Sequence, residues 1–239
     1  LDRSLKAVEL LCRNPNRPQP ISNPFPTTIL NNTNRVYTIL RTMQNLNDPD
    51  MEDWEDEFFE NIILTHSDLS GKTFQDCQFK SCRISDSLLR GSSFRNCLFE
   101  ECELTLLKVD NAGFSNCQFT ESMLQGINFS ECNTPLFYPD FEKCEIRHCF
   151  FSNMDLKKKV FRDSKFQDCE FFRIDFREAD FSRTAFSETP FSECDLRKAN
   201  FTEARGYTIQ PEQNKLRGAV FSYPDVTALL APLGIVIKD

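Results

Sequence analysis

The chain has 239 residues, a formal net charge of −8 and only 7 glycines. No apolar run approaches the ~20 residues that cross a bilayer, and glycine is too scarce for a phosphate-cradling loop or a collagen-like repeat. The acidic balance also lacks the basic face expected of a nucleic-acid binder. Phenylalanine carries the aromatic content, with 24 Phe against 4 Tyr and 1 Trp, which points to one structural slot used again and again.

Residues 1–60 show no repeat and predict a helical N-terminal cap. The stretch "LDRSLKAVELLCR" suits a short helix, which prolines at 15, 18, 20, 24 and 26 then stop. "NRVYTILRTMQNL" places Val36, Ile39, Leu40 and Met43 on one helical face. "PDMEDWEDEFFENI" has Pro49 early, acids in its first turn and Trp54 and Phe58 at i, i+4, all features of a helix N-terminus. Its acids, Glu52, Asp53, Glu55, Asp56, Glu57 and Glu60, form a candidate acidic surface, read either as a solvated helix face or as a place for a partner.

From Leu64 every fifth residue is large and apolar: Leu69, Phe74, Phe79, Ile84, Leu89, Phe94, Phe99 and so on to Phe129. After "CNTPLFYPD" at 132–140 the register resumes, shifted by two, at Phe141 and runs to Phe201. A period of five is neither that of a helix nor that of a strand. The residue two before each apolar site is usually small, commonly Cys, Ser, Ala or Thr. Each unit therefore turns one large and one small side chain inward and three outward. Phe recurs at 74, 94 and 114 and again at 79, 99 and 119, with aliphatic residues at 64, 84, 104 and 124, so four units close one coil. Phe74, Phe79, Phe94, Phe99, Phe114, Phe119, Phe161, Phe181 and Phe201 form the expected core. A single unit cannot offset its own ordering entropy of ~1–2 kcal/mol per residue; only stacked coils are stable.

The repeat also explains the cysteines. Ten of the eleven, all but Cys12, occupy the small inward slot. They recur at intervals of five and twenty rather than at metal-ligand spacing, and the reading is reduced thiols used as packing units. The sequons at Asn128 and Asn200 are by-products of the repeat.

This pattern, plainest in "EADFSRTAFS" and "RKANFTEA", resembles the pentapeptide-repeat family over about residues 60–203. The resemblance implies an all-β solenoid, a right-handed quadrilateral β-helix, here of about seven coils and roughly 34 Å at ~4.8 Å per coil. The expected domains are the N-terminal cap over 1–60, the β-helix over 61–205 with its register break at 132–140, and a C-terminal cap over 206–239. In that cap Leu216 and Phe221 return to the register, and a short helix follows, N-capped by Ser222 with Pro224 in its first turn. The resemblance to Qnr-type members implies a homodimer through the C-terminal cap.

Pro135, Leu136, Phe137 and Tyr138 in the break form a candidate interaction loop, read either as a corner bulge or as a functional loop. Lys72 and Lys159 fall in inward slots and are read as snorkelling to the edge, with a small anion site as the alternative. The only histidines, His66 and His148, fall in outward, unpaired slots, and no nucleophile–base pair stands out. The chain is therefore expected to be no enzyme, with no cofactor and no metal, and to act as a protein-interaction module without membrane or direct nucleic-acid binding. Qnr- and MfpA-type relatives imply an alternative, a DNA mimic in the basic saddle of gyrase or topoisomerase IV. Against it, residues 61–205 carry 23 acids and 19 bases, only −4 net. A third reading is a bacterial effector delivered to host cells. A cytoplasmic bacterial location is expected, with delivery as the exception.

Overall fold

The computed structural model describes Leu46 and residues 50–236. The helical stretches expected within residues 1–45, and Cys12, lie outside the described residues. The rest forms a right-handed quadrilateral β-helix of about 8 turns. Its strands are mostly three residues long, each presenting its middle side chain to the core. All pairing is parallel, at a spacing of twenty residues outside the insertion: Phe74 pairs with Phe94, Phe79 with Phe99 and Ile84 with Leu104. Four walls result, named here by their first inward residues: the first wall begins at Trp54, the second at Phe59, the third at Leu64 and the fourth at Leu69. The third wall holds a seven-stranded sheet running from Ile63–Thr65 to Ala185–Ser187.

Stacked rings fill the second wall from end to end. Phe59, Phe79, Phe99 and Phe119 stack at centroid distances of 4.7 Å, and Phe161, Phe181, Phe201 and Phe221 continue at 4.8, 4.9 and 4.9 Å. Phe141 bridges the two runs, 5.0 Å from Phe119 and 5.9 Å from Phe161. These are the separations that favour offset aromatic pairs. Neighbouring walls meet edge to face, as Phe74 does with Phe79 at 67°.

The walls can turn because every fifth residue takes a left-handed backbone. Asp56, Asn61, His66, Asp76, Ser81 and Asp86 have φ between 49° and 58°, and the pattern continues to Glu203. That region costs a non-glycine residue roughly 1–2 kcal/mol, which Asn and Asp tolerate best. The corner N–H is satisfied by the next coil: Asp56 N–H donates to Gln75 O at 3.0 Å and Asp76 N–H to Arg95 O at 2.9 Å. At Gly206 a side chain would collide with the carbonyl oxygen of Phe186, so that corner requires glycine.

Three expectations change. Residues 52–60 do not open a helix: Asp53–Glu55 and Phe58–Glu60 are strands of a first coil, so the solenoid begins before residue 61. Trp54 stacks on Phe74 at 4.9 Å while Phe58 points outward. Trp54 and Phe59 lie five apart and in phase with Phe74 and Phe79, and burying both outweighs the helical signals around them. Starting at Trp54 and ending past Leu216, the fold makes about 8 turns rather than seven. The C-terminal helix, Asp225–Leu233, is a 3-10 helix preceded by Pro224, and none of its residues is fully buried. Ser222 does not cap it; its hydroxyl accepts the N–H of Glu203. Leu229 alone in that helix packs against the core, leaving Leu233, Ile235 and Val236 exposed.

The unbroken second-wall column predicts a contrast between two phenylalanines. Phe141→Ala should destabilise the fold by about 3–5 kcal/mol, whereas Phe58→Ala, at a half-exposed outward position, should stay within about 0.5 kcal/mol. Thermal unfolding followed by circular dichroism checks both; equal losses would contradict the stacking account.

Candidate interaction surface

The small slot has a definite hydrogen-bonding task. Cys82 Sγ–H faces the carbonyl oxygens of Phe59, one coil back, and Lys80, at 3.3 and 3.4 Å. Where the slot holds Ser122, its hydroxyl does the same toward Phe99 and Thr120 and also accepts the N–H of Cys102 at 2.9 Å. Thr189 and Asn214 likewise accept the N–H groups of Cys169 and Cys194. All ten thiols in the solenoid are buried and free. Burial pushes the Cys144 thiol up to about 12 and that of Cys194 up to about 11. Among the described residues no group of three or more His, Cys, Asp and Glu could hold a metal ion.

Many outward charges are paired along the walls, where a side chain meets its counterpart one coil away. Arg83 pairs with Glu103 at 2.6 Å, Arg173 with Glu193 at 2.7 Å and Arg183 with Asp163 at 2.7 Å. Arg183 holds the carboxyl of Asp163 below the usual carboxylate range. Other pairs close within one turn: Arg177 grips Asp175, and Arg197 grips Asp195 through Nε and Nη2 at 2.8 and 2.6 Å. The Arg197 bonds keep Asp195 acidic.

Lys72 and Lys159 do not reach the edge unaccompanied. Lys72 Nζ donates to Met51 O at 2.6 Å and lies 5.1 Å from the Trp54 ring. Lys159 pairs with Asp140 at 3.3 Å and faces the Tyr138 ring. Lys159 thus has a carboxylate partner, and Lys72 a carbonyl oxygen and an aromatic face. His148, expected unpaired, has Nδ1 3.8 Å from Asp168. It lines a groove of about 430 Å³ with Phe150, Asp168, Glu170, Glu188 and Pro190.

The candidate loop divides. Phe137 is fully buried, edge-on to Phe114 at 6.0 Å and 5.3 Å from Phe129, so it plugs the first wall where the register slips. Pro139 is buried and Tyr138 half-buried, while Pro135 and Leu136 stay outside. Leu136 lies against Gly113, where a side chain would crowd it. The candidate acidic residues gather on the first coil. Glu52, Asp53, Glu55, Asp56 and Glu57 are exposed and Glu60 half-exposed. From 50 to 71 the chain has eight acids and neither Lys nor Arg. Phe58 and Ile63 sit beside these acids, 51% and 53% exposed. The twenty-residue coil legible in the sequence sets these partners on one wall, but which of them pair depends on side-chain reach, which only the structure shows.

Comparison with known proteins places this geometry. A pentapeptide repeat region profile matches residues 72–138, and a profile of pentapeptide repeats in eight copies matches residues 174–205. No match is found among curated proteins. Among solved structures, a trypsin-treated form of QnrB1, a plasmid-mediated fluoroquinolone resistance protein, is 20% identical. The match covers 78% of this chain and 90% of that one, with a TM-score of 0.52. HetL, a pentapeptide repeat protein involved in heterocyst differentiation regulation in the cyanobacterium Nostoc, is 14% identical over 77% of this chain and 91% of its own, with a TM-score of 0.43. At 20% identity the likeness to QnrB1 bears on fold alone. Among the described residues no helix is long and apolar enough to cross a membrane.

The raised thiols set a pH dependence. Cys144 and Cys194 ionise near 9.0 when exposed and near 12 and 11 when folded. The unfolded chain therefore releases protons first as pH rises, and stability present below pH 9 is lost above it, by ~1.4 kcal/mol per unit, up to about 12 for Cys144 and about 11 for Cys194. Urea midpoints measured across that window should fall, and a Cys144→Ala, Cys194→Ala double variant should fall less steeply.

Proposed function

We propose that this chain, which is a pentapeptide-repeat protein, acts without catalysis as a rigid protein-interaction module. The observation that carries the reading is the uneven charge of a frame whose other acids are largely paired or balanced by bases. Ladders pair carboxylates with Arg and Lys along the walls, while the first coil concentrates acids around exposed Phe58 and Ile63. Such a surface suits a basic partner: charge speeds encounter, and the two apolar side chains supply contact area on a frame that loses little entropy on binding. Pro135 and Leu136 offer a second, smaller contact. The exposed apolar residues of the C-terminal cap are a candidate homodimer contact. Buried free thiols suit a reducing compartment, in keeping with a bacterial cytoplasm.

The second reading is a DNA mimic that protects a type II topoisomerase. It is favoured by the likeness to a fluoroquinolone resistance protein and by the acid-rich first coil. The pairing of acids elsewhere weighs against it, since a mimic of duplex DNA needs negative potential along its length.

Capture of partners from a bacterial lysate tests the first reading. Replacing Asp53, Glu55 and Glu57 with Lys should lower capture by about tenfold at low salt, with the fold intact by circular dichroism. Unchanged capture would clear the first coil. A gyrase supercoiling assay with and without fluoroquinolone separates the second reading; protection by the parent chain and not by the triple variant would promote it over the first.

A further inference from the structure

The outward charges of the first wall change sign along the solenoid. The wall begins with exposed Asp53, Glu55, Asp56 and Asp76. It ends with Arg177, Arg197, Lys198, Lys215 and Arg217. The aspartates in that last stretch are engaged: Asp175 and Asp195 are gripped by the guanidinium two residues on, at 2.7 and 2.6 Å. Among the described residues Lys198, Lys215 and Arg217 take part in no ion pair. Between the two ends lies the insertion, where exposed Pro135 and Leu136 form the apolar part of the wall.

The order is symmetric about that insertion. Inward residues of the first wall are Trp54, Phe74, Phe94 and Phe114 before Phe137, and Leu156, Phe176, Leu196 and Leu216 after it. A two-fold axis lying in the plane of contact, along the Phe137 rung and perpendicular to the solenoid axis, would bring the rung of Trp54 of one copy opposite that of Leu216 of the other. Asp53 and Glu55 of one copy would then face Lys215 and Arg217 of the other. Asp76 would face Lys198 and Leu136 would meet its own counterpart, while Arg95 would face Arg177, whose charge Asp175 neutralises. An isologous interface must be self-complementary in this way.

We infer that two copies of the chain pair antiparallel through the first wall, acidic end to basic end, with Leu136 at the axis. The inference departs from the proposed function in seating the second copy on the first wall rather than on the C-terminal cap. The wall is roughly 38 Å long, at ~4.8 Å for each of about 8 turns, and only one strand wide. The dimer is therefore weak and held by exposed charges that salt screens.

Sedimentation velocity of the purified full chain tests this. The dimer should weaken by at least about tenfold in dissociation constant between about 0.05 M and about 0.5 M salt. The Lys198→Glu, Lys215→Glu variant and the Asp53→Lys, Asp56→Lys variant should each be monomeric. Mixed together they should form a heterodimer, because both halves of the interface are again complementary. Leu136→Cys should give a disulfide-linked dimer under mild oxidation that the parent chain does not form. A parent chain that stays monomeric at low salt, a dimer that survives either charge reversal, or one abolished by Leu233→Asp in the C-terminal cap instead, would overturn the inference.

Discussion

Every part of this molecule depends on one contact, a large apolar side chain lying flat on its counterpart twenty residues later. The contact favours a coil of four units, because a spacing of twenty keeps Phe on Phe in the early coils, whereas fifteen would set Phe74 on Leu89 and twenty-five Phe79 on Leu104. It also absorbs the cost of the corners. Left-handed backbone at Asp56, His66, Leu106 and their equivalents is unfavourable residue by residue, and it persists because the coils above and below hold each corner in place. Hydrogen bonding follows the same logic: the small slot and the corner N–H both find partners in a neighbouring coil. No coil is complete by itself, which is why stability must grow with their number.

The thiols and the ladders are two outcomes of that geometry. Inward, the twenty-residue spacing stacks Cys77, Cys97 and Cys117 in a column where only a small side chain fits and a carbonyl oxygen waits for a weak donor. Cysteine, serine and threonine are interchangeable there because each supplies the same donor at nearly the same size. Outward, the spacing sets Arg83 beside Glu103 and Arg173 beside Glu193. Individually such exposed pairs contribute little; together they leave most of the walls close to neutral, so the acid-rich first coil and the cationic end of the first wall stand out.

Much of this was legible in the sequence. The five-residue period gave the fold, the square coil and the inward role of the cysteines, since each rests on a periodicity that survives without coordinates. The beginning of the solenoid was hidden because Trp54 stands where Phe recurs later, inside an acidic run with the marks of a helix start. Phe137 was hidden because the two extra residues of the insertion displace it from the count, although it still fills the first wall. The shape of the C-terminal helix was also obscured: a hydroxyl at 222 reads as a cap, yet it serves the N–H of Glu203 from the coil below. The candidate surface was only half legible. The cluster of acids is visible in the sequence, but the pairing that neutralises many of the other acids depends on how side chains reach one another along a wall.

The insertion at 132–140 carries a further lesson about how such a molecule can change. Two added residues bulge at one corner, and the chain rejoins the same wall it left, so Phe141 still lands on Phe119. Removing five residues would do the opposite: every inward side chain downstream would stay inward, but each would arrive a quarter turn away from its former wall. The interior would register little difference, while the outside would be dealt afresh, with cations once stacked above carboxylates now beside strangers. Length changes in this architecture therefore act like turning the dial of a combination lock, sparing the mechanism and altering what it displays.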